Sequence, residues 1–89
     1  MRISASEQVA TWLSGLAPST KRRVRLALRG LANEQGDIEA LHPPLDGFYR
    51  LRVGGYRVVF THQPRNEIRL EYADMRDVVY ERFRERLGG

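Results

Sequence analysis

The chain has no cysteine and only two histidines, His42 and His62. The first absence excludes a disulfide-stapled scaffold, a thiol nucleophile and any cysteine-ligated zinc or iron–sulfur centre. The second leaves too few imidazoles for an ordinary structural zinc site. No apolar run approaches the roughly 20 residues that cross a bilayer, and nothing at the start reads as a signal peptide. Lysine is scarce too, since 14 of the 15 basic residues are arginine. With 89 residues, 42% of them hydrophobic, there is material for one thin core. The expectation is a single cytoplasmic domain, residues 1–89, with no metal, no cofactor and no membrane contact.

The excess of base over acid gives a net charge of +4. Such a balance suits a polyanionic partner, because cations that neutralise phosphates release condensed counterions. Guanidinium forks match phosphate geometry better than ammonium groups do. An arginine-rich genome would produce the same composition with no functional meaning, so position has to decide.

Position follows from periodicity. Met1–Ile3 reads as a short strand. From Ser4 onward Val9, Trp12, Leu13 and Leu16 recur at helical spacing, with Ser4 or Ser6 as N-cap and Gly15 and Pro18 closing the segment. Pro18 suits the first turn of a second helix, whose Val24, Ala27, Leu28 and Leu31 face inward. Lys21, Arg22, Arg23, Arg25 and Arg29 cover its other side. Asn33–Gly36 is a stop, and Asp37–Gly47, with Pro43, Pro44 and Gly47, reads as a loop.

The period then drops to two. In Phe48–Val53 the residues Tyr49, Leu51 and Val53 point one way and Arg50 and Arg52 the other. Gly54-Gly55 is a hairpin turn, Tyr56–His62 a second strand, Gln63–Asn66 another turn. Glu67–Tyr72 places Ile68, Leu70 and Tyr72 on one face, Arg69 and Glu71 on the other. Arg76–Leu87 is helical, with Met75, Val79, Phe83 and Leu87 as its core line. The predicted architecture is α+β: a short N-terminal strand, an αα-hairpin packed on an antiparallel sheet of three to four strands, and a C-terminal helix.

Burying one sheet face leaves the other carrying Arg50 and Arg52, with Arg57 across the hairpin. Alternating arginines are what a solvated strand carries anyway. Yet Phe48–Arg57 holds three arginines and no neighbouring acid, whereas ordinary surfaces mix both signs. Arg76 and Tyr80, four residues apart on a helix, would share one face and add a cation and a stacking ring.

These residues and the order of elements resemble the RelE/ParE superfamily of toxins from type II toxin–antitoxin systems. Two stretches carry the likeness, Leu45–Phe60 and Arg76–Tyr80; Asp74 and Met75 stand where many relatives have Gly and His. The resemblance implies a metal-independent endoribonuclease that cleaves mRNA in the ribosomal A site by attack of the 2′-hydroxyl on the adjacent phosphate. By position, Arg50 and Arg52 would bind the RNA backbone. Arg57 would stabilise the phosphorane, an effect worth about 3–4 kcal/mol for a strong donor. Arg76 would act on the scissile phosphate or leaving group, and Tyr80 would stack on, or exchange protons near, the nucleotide. For the general base the candidates rank Tyr80, His42, then Glu71, while His62 is expected to face away from Arg57. Partners would be the ribosome, mRNA and a cognate antitoxin that either covers the arginines or displaces the last helix. The alternatives are a ParE-like gyrase poison and an inactive nucleic-acid-binding module.

Overall fold

A computed structural model describes residues 1–88; Gly89, the end of the expected domain, lies outside the described residues. The chain runs β1 (Arg2–Ala5), α1 (Glu7–Ser14), α2 (Pro18–Leu31), β2 (Asp37–Ala40), β3 (Tyr49–Val53), β4 (Tyr56–Gln63), β5 (Glu67–Met75) and α3 (Val79–Gly88). Ser6, not Ser4, caps α1: its hydroxyl accepts the Val9 amide and donates to the Glu71 carbonyl, tying helix to sheet. Pro18 opens α2 as expected.

The sheet has five strands in the order β1-β5-β4-β3-β2. This is the predicted α+β arrangement with two additions. The first strand pairs parallel to β5, Ile3 opposite Ile68, so the sheet is mixed rather than antiparallel. Asp37–Ala40, read as loop, is an antiparallel edge strand against β3, Ile38 opposite Leu51 and Glu39 opposite Arg50. Four residues with a single large apolar side chain give too short an alternation to register as a strand; pairing with β3 makes it one.

Val9, Val24 and Leu31 of the hairpin close over Leu51, Val53, Val58, Phe60, Ile68, Leu70 and Ala73, forming the main core. A second, smaller core occupies the opposite face, where Val79 and Phe83 of α3 meet Leu45, Val59 and Tyr72. That face was expected to be polar. The difference arises at a bulge: Val59 pairs with Tyr72 but Phe60 with Leu70, so Glu71 is an extra residue and the alternation of β5 changes phase. Tyr72 therefore joins α3 instead of following Ile68 and Leu70. The core line of the last helix is also shorter than predicted. Met75 ends β5 and is 57% exposed, Leu87 is 55% exposed, and only Val79 and Phe83 are buried.

Candidate functional site

Arg50, Arg52 and Arg57 all project from the α3 face, Arg52 directly opposite Arg57 in the β3–β4 ladder. Their surroundings differ. Arg50 is gripped by two carboxylates of β2, Asp37 at 3.0 Å and Glu39 at 2.9 Å, and its side chain is only 13% exposed. Burial alone would lower its pKa, but the hydrogen bond to Asp37 and the nearby charges of Asp37 and Glu39 outweigh it, so the guanidinium is held charged. Arg52 lies further out, 3.9 Å from Asp37. The acids that seemed missing from Phe48–Arg57 thus come from the neighbouring strand. Arg57 makes no ion pair among the described residues; its guanidinium donates to the carbonyls of Gly54 and Tyr56, both at 2.9 Å. These bonds aim it without pairing it with a carboxylate.

Tyr80 stands in the first turn of α3, against the edge of the second core formed by Val79 and Phe83. Its phenol comes within interaction range of both Arg50 and Arg57. Burial raises its pKa, and the two guanidinium groups only partly oppose that rise. The raised pKa keeps the phenol protonated at neutral pH, which disfavours it as a base.

A cleft of about 330 Å³ opens here, with Tyr80, Arg50, His42, Glu39 and Arg84 among its lining residues. His42 reaches it from the loop between β2 and β3, as the sequence allowed. Glu71 does not reach it: its carboxylate accepts a 2.7 Å hydrogen bond from Thr61 and lies 3.4 Å from Arg69. Thr61 is four residues along β4 from Arg57, about 13 Å at strand rise. Arg76 also departs from expectation. It precedes α3 in a turn, its amide donating to the Gly55 carbonyl and its side chain facing Asp77 at 3.5 Å. Because α3 starts at Val79, Arg76 and Tyr80 share no helical face. His62 faces away from Arg57, as expected, with its ring against Tyr49 and Phe60 on the hairpin side.

Sequence reasoning missed Arg84 and Glu39. Arg84 follows Tyr80 by four residues, the helical spacing that puts both on one face, so a signal was present. Glu39 had none until its segment became a strand. Asp74, in the position where relatives carry Gly, sits opposite Arg57 and holds Arg82 at 2.9 Å. Met75, where relatives carry His, points to the other face of the strand.

No family model matches the chain, and no curated protein matches it significantly. Solved structures do. A chain of the RelB–RelE antitoxin–toxin complex from Methanococcus jannaschii is 19% identical over 90% of this chain and 98% of its own, with a TM-score of 0.69. The YoeB/ParE toxin from Agrobacterium tumefaciens is 11% identical over 84% of this chain and 98% of its own, with a TM-score of 0.70. YafQ from E. coli is 13% identical over 88% and 97%, at 0.64. The chain has the fold shared by these RelE, YoeB/ParE and YafQ structures, the one implied by its resemblance to the RelE/ParE superfamily.

Proposed function

We propose that the chain is the toxin of a type II toxin–antitoxin pair and an endoribonuclease that cuts mRNA, with the ribosomal A site as its place of action. The observation that carries the reading is the approach of Arg50 and Arg57 to a protonated Tyr80 at a cleft that Arg50 and Tyr80 line. In the scheme the 2′-hydroxyl oxygen attacks the adjacent phosphorus while its proton passes to His42 or Glu39, the two acceptors lining the cleft. The P–O5′ bond then breaks, and the Tyr80 phenol protonates the departing 5′-oxygen, leaving a 2′,3′-cyclic phosphate and a 5′-hydroxyl. Arg57, a guanidinium with no carboxylate partner among the described residues, stabilises the phosphorane. Arg50, held by β2, fixes the floor of the cleft more than it binds free phosphate, and Arg52 and Arg76 serve the RNA backbone further out. Fold likeness to a chain of an antitoxin–toxin complex supports a cognate antitoxin as partner.

The test is cleavage of ribosome-programmed mRNA in EDTA, with product ends analysed. Arg57→Ala and Tyr80→Phe should each slow scission by about 10²-fold or more while leaving the thermal transition in place. Unchanged cleavage in both variants, or accumulation of gyrase–DNA complexes in place of cut mRNA, overturns the reading.

A further inference from the structure

The distribution of charge locates a second surface. Helix α2 carries Lys21, Arg22, Arg23, Arg25 and Arg29 and no acid. Removing those five from the chain's 15 basic residues leaves ten against 11 acids, so the whole positive excess resides on this one helix. Four of the five sheet arginines, Arg2, Arg50, Arg52 and Arg69, each lie within 4 Å of a carboxylate, Arg57 being the exception. Among the described residues none of the five cations of α2 has such a partner. An arginine-rich genome accounts for the choice of arginine over lysine, but not for a helix with five cations and no acid.

Val24 and Leu31 bury one side of α2 against the main core. The outer side forms a shallow groove of about 390 Å³ between Lys21, Arg22, Arg25, Arg29 and the exposed Leu26. Lys21 to Arg29 spans about 12 Å of helix axis. Like charges three and four residues apart weaken a helix unless something neutralises them. The row contains no aromatic ring to stack on a base, and guanidinium forks spaced along one helix face match the oxygens of backbone phosphate. Arg23 leans from α2 over the β3–β4 turn: a Cβ built on Gly54 would lie 3.1 Å from its Nη2. The groove and the cleft lie on opposite sides of the sheet.

We propose that the outer face of α2 docks, without sequence preference, on the phosphate backbone of double-helical RNA. The electrostatics favour a polyanion. The choice of RNA rests on the ribonuclease reading and on the narrow A-form major groove, whose facing phosphates a single row of guanidinium groups can bridge. Docking through α2 leaves the cleft free for a single strand.

The experiment measures binding of the full chain to a non-cleavable 2′-O-methyl RNA hairpin by fluorescence anisotropy between 50 and 200 mM salt, on the order of the range in which phosphate contacts dominate. An Arg22→Gln/Arg25→Gln/Arg29→Gln variant should bind at least tenfold more weakly at the low-salt end. The slope of log K against log salt should fall by about 2–3, one phosphate contact per lost guanidinium. The corresponding triple Arg→Lys variant should keep most of the slope, which separates charge loss from helix damage. Scission by Arg57→Ala is read in the cleavage assay and hairpin affinity of the α2 variants in this one, so failure of the cleft's chemistry and failure of this docking are distinguishable. A triple Gln variant with parental affinity, or parental binding that is equally tight to a DNA duplex or to poly-glutamate, overturns the proposal.

Discussion

Arg50 shows how much a side chain's role depends on what pairs with it. Counted along the sequence it stands in an acid-free stretch and looks available for phosphate; in the fold Asp37 and Glu39 occupy its fork. The consequence is titratable. The hydrogen bond from Arg50, reinforced by the charges of Arg50, Arg52 and Arg57, holds the Asp37 carboxyl below its usual range against the opposing effect of desolvation. A carboxyl with a depressed folded pKa adds stability above its unfolded pKa of about 4, and that stability is lost as pH falls through the folded value. Asp37→Asn should therefore melt below the parent at pH 5–7, and the two curves should converge as pH drops beneath about 4. A gap that persists unchanged into that acid range would show that the pair is not what Asn removes.

Among the elements, α3 departs furthest from what its sequence predicts. Its four-residue apolar spacing was legible, but the helix starts three residues later than predicted because Arg76–Val78 forms a turn closing on the Gly55 and Met75 carbonyls. Two residues hold it, Val79 and Phe83, with the Phe83 ring edge-on to Phe48 at 5.0 Å. Phe83→Ala should cost about 3–5 kcal/mol in a urea titration, as large buried rings do. Leu87→Ala, at an exposed site, should stay within about 0.5 kcal/mol of the parent. Comparable losses in both would mean that the helix packs further along its length. Tyr80 rides on this anchorage, so Phe83→Ala should also depress activity without touching the cleft.

For the molecule as a whole, two cores back onto one sheet. Val58 and Val59 are adjacent in β4 yet belong to opposite clusters, so neither core can open without disturbing strands that build the other. The radius of gyration, 12.2 Å, is that of a compact body of this length. Unfolding should be one transition: Trp12 fluorescence, which reports the hairpin side through its 5.6 Å contact with Tyr56, should track far-UV circular dichroism across urea. Separated midpoints would show α3 and its small core melting alone. The sequence determined the three long strands, the hairpin of helices and the arginine–tyrosine inventory, because each is written in a local period or a glycine turn. Tertiary structure alone decided that Asp37–Ala40 becomes a strand, that a bulge at Glu71 turns Tyr72 to the other face, and that Arg76 parts from Tyr80 while Glu39 and Arg84 join it. Periodicity records which way a side chain points along its own segment; which charges then neutralise one another depends on strand neighbours, and those are chosen only when the whole sheet assembles.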